Sequence, residues 1–113
     1  MVKIIVAKLD YLIELFLLDE NYTILENGTI ERKRDGKKLG FTRKGELNRR
    51  NKTYVYIYYK GKDLKLHRII YAKFKGNLDE NMVVHHIDNN TLNNSIENLD
   101  LVTQEINQAY RKV

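Results

Sequence analysis

The run TYVYIYY at residues 53–59 leaves little choice of backbone. β-Branched and aromatic side chains alternate along it, and such residues pack well on a pleated surface. Across a turn at Lys60-Gly61 it pairs naturally with residues 62–66, KDLKL. Side chains alternate faces along a strand, so Val55, Ile57 and Tyr59 share one face and Tyr54, Tyr56 and Tyr58 the other. One face is expected to meet the core. The other is expected to be a tyrosine-bearing surface among lysines and arginines, its rings serving packing before stacking. A second hairpin is expected upstream, where 22–25 (YTIL) and 29–33 (TIERK) flank Asn27-Gly28. That dipeptide supplies the positive φ angles of a tight turn. Asp35-Gly36 marks a further turn before a weak strand at 38–42.

The chain contains neither Cys nor Pro in its 113 residues. Without cysteine there is no disulfide framework and no thiolate zinc site, so stability must come from burial and sheet formation. A cytoplasmic protein is the natural expectation. Without proline, turns must rely on Gly, Asn and Asp. The apolar fraction of 42% suffices for a modest core, and the length fits one domain. The first eighteen residues are rich in apolar side chains, but Lys3, Lys8, Asp10 and Glu14 cut them into short pieces. No small-residue cleavage site follows. Neither an export signal nor a membrane span is expected.

Two helices are expected in this part of the chain. In residues 7–18 (AKLDYLIELFLL), Leu9, Leu12, Ile13, Phe16 and Leu17 fall at helical spacing. Tyr11, Leu15 and Leu18 widen that apolar face, which leaves two readings open: packing inside the domain, or a homodimer contact. Residues 67–75 (HRIIYAKFK) read as a short helix ended by Gly76. Ile70, Tyr71 and Phe74 form its buried side, and His67 falls on that side as a core histidine. Residues 43–52 read as a basic loop and 77–81 as a linker.

Charge is concentrated in the middle of the chain. Residues 31–75 carry 16 basic and 4 acidic side chains, a net +12, whereas residues 1–30 net −3 and residues 76–113 net −4. A cationic block of this density points to nucleic acid. Its phosphate-contacting candidates are Arg32, Arg34, Lys37, Lys38, Arg43, Lys44, Arg49, Arg50 and Lys52.

The acidic-leaning end holds the densest chemistry, in MVVHHIDNNTLNNSIENLDLVTQEINQ at residues 82–108. Residues 82–87 are expected to form a strand ending at His85 and His86. Residues 88–98 form a loop whose Asn and Asp side chains supply the turn hydrogen bonds. Residues 99–102 form a second strand. Thr103 is placed as the N-cap of a terminal helix running to about Arg111. Asn107 lies about one turn inside that helix, and Arg111 one turn further on the same face.

These residues resemble a known family. Val84-His85-His86-Ile87-Asp88, Leu92-Asn93-Asn94, Glu97-Asn98-Leu99, Val102-Thr103 and Asn107 are similar to the HNH endonucleases of the ββα-metal superfamily, phage and homing type. Upstream, His67-Arg68, Tyr71, Phe74 and Gly76 extend the resemblance over roughly residues 53–112. It implies an α+β fold, with an N-terminal helix and small antiparallel sheets (1–66) ahead of a nuclease core (67–113). It also implies a metal-dependent endonuclease acting on double-stranded DNA in the cytoplasm of a bacterial host or phage-infected cell. His86 aligns with the general base, which suits a side chain that takes up a proton near neutral pH. Asn98 aligns with the central Asn that holds the loop and orients the base. His85 and Asn107 align with metal ligands, although strand neighbours point to opposite faces and His85 has a structural reading too. Arg111 joins the DNA-contacting set. Asn107 replaces a His common in relatives, and its amide oxygen argues for Mg²⁺ or Mn²⁺ over Zn²⁺. The same replacement keeps open a catalytically weak or inactive DNA-binding module.

Overall fold

The computed structural model describes residues 11–43, 53–76 and 82–103. Helix α1 (Tyr11–Leu18) leads into β1 (Tyr22–Ile24), β2 (Ile30–Arg32) and β3 (Lys38–Leu39), an antiparallel sheet in that order. A second antiparallel sheet follows: β4 (Phe41–Thr42), β5 (Val55–Tyr59) and β6 (Lys62–Lys65). Helix α2 (Leu66–Phe74) comes next, and β7 (Met82–His86) pairs antiparallel with β8 (Leu99–Thr103). The architecture is α+β, as expected. The helix expected after Thr103 lies outside the described residues, as do the linker 77–81, residues 7–10 and most of the loop at 43–52. No helix among the described residues is long and apolar enough to cross a membrane.

Three local expectations change. Of Asn27-Gly28, only Gly28 takes a positive φ, +89°. The Gly28 amide donates to the Leu25 carbonyl at 3.0 Å, and the Asn27 side-chain oxygen accepts from the Thr29 amide at 3.1 Å. The hairpin therefore closes through a wider turn than a two-residue one. The two-residue turn sits instead at Lys60-Gly61, where both residues have positive φ, 47° and 88°. The weak strand at 38–42 is broken at Gly40 (φ +130°) into β3 and β4, which belong to different sheets. Leu66 opens α2 rather than ending β6, because the extended Lys65 (φ −71°, ψ 124°) lets the strand run directly into the helix.

The faces of β5 follow expectation for Ile57 and Tyr59, which are buried, and depart from it at Tyr56, which is only 3% exposed. Neighbouring side chains cover Tyr56. The Arg43 guanidinium lies 4.1 Å from its ring centroid, and the Phe41 ring is 6.0 Å away. Tyr58 alone among the strand tyrosines stands out in solvent, at 67% exposure.

One hydrophobic cluster joins the elements. Ile13 and Phe16 of α1, Ile30 of β2, Ile57 and Tyr59 of β5, Leu64 of β6, Leu66, Ile69, Ile70 and Tyr71 of α2, Val84 of β7 and Leu99 of β8 all belong to it. Helix α1 thus buries its face within the chain, which answers the first of the two readings of that helix. Tyr11 and Leu18 remain exposed. Phe16 stacks on Tyr22 at 4.8 Å and meets Tyr59 edge-on at 4.9 Å. The Tyr59 hydroxyl donates to Asp19 Oδ2 at 2.8 Å, tying β5 to the end of α1. Burial and then the Asp19 bond push the Tyr59 phenol up to about 12. The Asn21 backbone amide, and then Tyr59, hold the Asp19 carboxyl below its usual range.

Because the folded Asp19 value is depressed, its contribution is present above the unfolded carboxylate value and lost as pH falls through the folded one. Tyr59→Phe is expected to cost about 1 kcal/mol in urea denaturation at neutral pH. That cost should shrink as pH falls below the ordinary carboxylate range and through the lowered folded value of Asp19. A cost that is the same across that range would show that the bond does not depend on the carboxylate charge.

Candidate active site

The site is built on the β7–β8 pair and the loop between them. Its register sets His85 opposite Asp100 and His86 opposite Leu99. Exposure alternates along β7: Val84 and His86 are buried, while Val83 and His85 are half-buried. The two histidines therefore sit on opposite faces, as strand geometry requires. His86 is 5% exposed.

Asparagine and aspartate side chains tie the loop to itself. Asn98 is buried, and its Oδ1 accepts from the Asp88 amide at 3.0 Å. Its Nδ2 donates to Asp88 Oδ1 and to the Asn93 carbonyl, both at 2.9 Å. Asn93 Nδ2 donates to Asp88 Oδ2 at 3.0 Å, and the Asn90 amide donates to Asp88 Oδ1 at 2.8 Å. These donors, Asn93 first, hold the Asp88 carboxyl below its usual range. Asp88 is thus ionised and already surrounded by amide hydrogens. The strand ends are fixed as well, since the Ile87 amide donates to the Asn98 carbonyl and the Asn89 amide to the His86 carbonyl, each at 2.8 Å.

The loop is also fastened to earlier parts of the chain. The Thr91 hydroxyl donates to the Thr53 carbonyl, just before β5. The Ile96 amide donates to the Glu26 carbonyl at 2.8 Å, in the β1–β2 turn.

Around His86 the side chains are aromatic. His67 of α2 meets it edge-on, ring centroids 4.9 Å apart, and Tyr54 lies 5.5 Å from His67 and 6.2 Å from His86. The Lys65 ammonium sits 5.1 Å from the Tyr54 ring centroid. Burial, and then the neighbouring His86, push the His67 imidazole well below its ordinary value. His67 is a neutral core histidine packed behind His86, in agreement with its expected role.

The Asn98 side-chain bonds go to Asp88 and Asn93, within the loop. The side chain that reaches the His86 ring is Asn94, whose Oδ1 is 2.9 Å from Nε2, with both residues buried. Sequence reasoning missed this contact. Four asparagines crowd residues 89–94, and nothing in their order tells which one turns inward.

Of the basic candidates, Arg34, Lys37 and Lys38 are exposed on the β2–β3 hairpin. Arg32 is paired with Asp35 at 2.7 Å, and Arg43 with Asp63 at 3.3 Å. Lys44, Arg49, Arg50, Lys52, Arg111 and the metal-ligand candidate Asn107 lie outside the described residues. Among the described residues no three His, Cys, Asp or Glu side chains gather to hold an ion.

Residues 64–109 match a family model described as HNH endonuclease. The chain is also similar to the solved structure of "DNA binding and cleavage by the HNH homing endonuclease I-HmuI", at 27% identity and a TM-score of 0.61. The match covers 83% of this chain and 53% of that one, so the chain spans about half the length of the structure it resembles. No curated protein matches the chain.

Two outcomes follow from the geometry. Asn98→Ala removes a donor and an acceptor from a buried network and is expected to cost about 3 kcal/mol in urea denaturation. A cost below about 1 kcal/mol would show that the loop holds without it. For His67 the folded value is depressed, so the unfolded chain takes up a proton first as pH falls below about 6.5. Stability should then drop by up to about 1.4 kcal/mol per pH unit from this group alone. A His67→Phe protein should lose less stability than the parent between about pH 6.5 and pH 5. Equal losses would show that His67 protonates in place.

Proposed function

We propose that this chain, whose residues 64–109 match an HNH endonuclease model, hydrolyses phosphodiester bonds in double-stranded DNA with the help of a divalent cation. One observation carries the reading: the segment matched as HNH endonuclease contains a buried histidine, His86, at a strand end, clamped by a hydrogen-bonded loop. His86 acts as general base, drawing a proton from the water that attacks phosphorus. Asn98 supports it at one remove, by fixing Asp88 and Asn93 so that the strand end cannot shift.

His85 and Asn107 would hold the cation. His85 is half-buried, with Asp100 directly across the pair; because it faces away from His86 along β7, one phosphate meets both only where the strand end bends. When bound, the cation supplies positive charge for the leaving 3′ oxygen. An imidazole paired with an amide oxygen favours Mg²⁺ or Mn²⁺ over Zn²⁺.

Substrate binding falls to the cationic block. Arg34, Lys37 and Lys38 on their exposed hairpin, with Arg32, Arg43, Lys44, Arg49, Arg50, Lys52 and Arg111, would contact phosphates. The Lys65 ammonium sits over Tyr54, whose ring in turn neighbours His86.

Purified protein is expected to nick or cut plasmid DNA with Mg²⁺ or Mn²⁺ and to stop when EDTA is added. His86→Ala should abolish cleavage while salt-sensitive DNA binding persists. Cleavage by His86→Ala at the parental rate would remove His86 from the role of base. A parent that binds DNA without cutting it under either metal would make the chain a binding module instead.

A further inference from the structure

Asn94 stands apart from the other loop asparagines, because its side chain serves neither Asp88 nor the loop backbone alone. Its Nδ2 points to the Leu92 carbonyl, a long contact at 3.5 Å, and its Oδ1 to His86 Nε2 at 2.9 Å. A carbonyl oxygen only accepts, so reversing the amide would set two acceptors against each other at Leu92. As placed, the amide presents its oxygen to the ring, an arrangement that suits a proton on Nε2. Asn94 and His86 are each 5% exposed, which leaves water little room to compete for the bond.

Asn94 is itself braced from far upstream. A Cβ added at Gly28 would collide with the Asn94 carbonyl group and the Ser95 nitrogen. The turn of the β1–β2 hairpin thus lies directly on the Asn94 main chain. The bond from the Ile96 amide to the Glu26 carbonyl, 2.8 Å, fastens the two from the other side.

We propose that Asn94 is a positioning residue for His86, held by the Glu26–Gly28 turn, and that it keeps the imidazole proton on Nε2 and the ring at one angle. Its catalytic consequence rests on the reading of His86 as general base. In the neutral ring the lone pair is then on Nδ1. When water attacks, its O–H bond breaks and the proton forms a new N–H bond at Nδ1, while its oxygen bonds to phosphorus, the P–O3′ bond breaks and the leaving 3′ oxygen takes a proton from solvent. The Nε2 proton remains donated to Asn94 throughout, so the ring needs no rotation between the two protonation states.

The test combines a ring spectrum with kinetics. The chain has three histidines, so His86→Gln identifies the His86 signals in ¹⁵N-labelled protein. The parent is expected to show a slowly exchanging Nε2–H resonance for His86. Asn94→Asp, which keeps an acceptor in place, should retain it, and Asn94→Leu should lose it. In plasmid cleavage, Asn94→Leu should lower kcat by about 10- to 100-fold with little change in KM, and Asn94→Asp should recover most of the loss. A parental His86 ring protonated on Nδ1 overturns the proposal by itself, even if Asn94→Leu does not fold. So does a folded Asn94→Leu protein with unchanged resonance and kcat, or an Asn94→Asp protein as impaired as Asn94→Leu. If the parent does not cleave DNA at all, the nuclease reading fails, while the ring spectrum still decides whether Asn94 holds His86.

Discussion

Ile69 and Ile70 of α2 are completely shielded from solvent, and elements on every side of the helix lean on them. Helix α1 packs against α2, as do β5 and β6 of the second sheet and the β7–β8 pair. The position of the site relative to the basic sheets is thus set by apolar burial. That force is non-directional, worth about 25 cal/mol per Å² of apolar surface removed from water. It holds elements together and does not by itself aim a side chain. With no disulfide in the chain, this shared core bears the cohesion of the described residues.

Aim comes from directional bonds in the loop. Its asparagines divide the work among them. Asn90 and Asn93 turn the chain around Asp88, Asn98 locks Asp88 and Asn93, and Asn94 takes the ring. Asn89 occupies a left-handed conformation, φ 64°, which an asparagine tolerates better than most residues. The Asp88 charge is met by amide hydrogens, so it tightens the loop. Behind the ring, burial keeps His67 uncharged, so His86 has an apolar, neutral neighbour at its edge.

The hairpins at β1–β2 and β5–β6, the buried side of α2 and the strand–loop–strand order of the site were all readable from residue pattern. Alternation and helical spacing are local properties, and turn residues mark where they stop. The errors were also local in origin. Asn27-Gly28 resembles a two-residue turn, yet the contact of Gly28 with Asn94 belongs to the tertiary fold. Tyr56 alternates outward in the pattern, yet Arg43 and Phe41 cover it. The break at Gly40 exists because β4 joins β5 while β3 stays with β2.

The sequence by itself determined the strand–loop–strand order of the site and the placing of its His, Asn and Asp side chains from Val84 to Thr103, because pattern and turn residues are local. It also determined that His85 and His86 face opposite ways, since a strand alternates whatever surrounds it. Only the tertiary structure decided which asparagine meets His86. Asn89, Asn90, Asn93 and Asn94 offer the same amide, yet it is Asn94, where the β1–β2 turn lies against the main chain, that meets the ring. That contact joins residues far apart in sequence, so no local pattern records it.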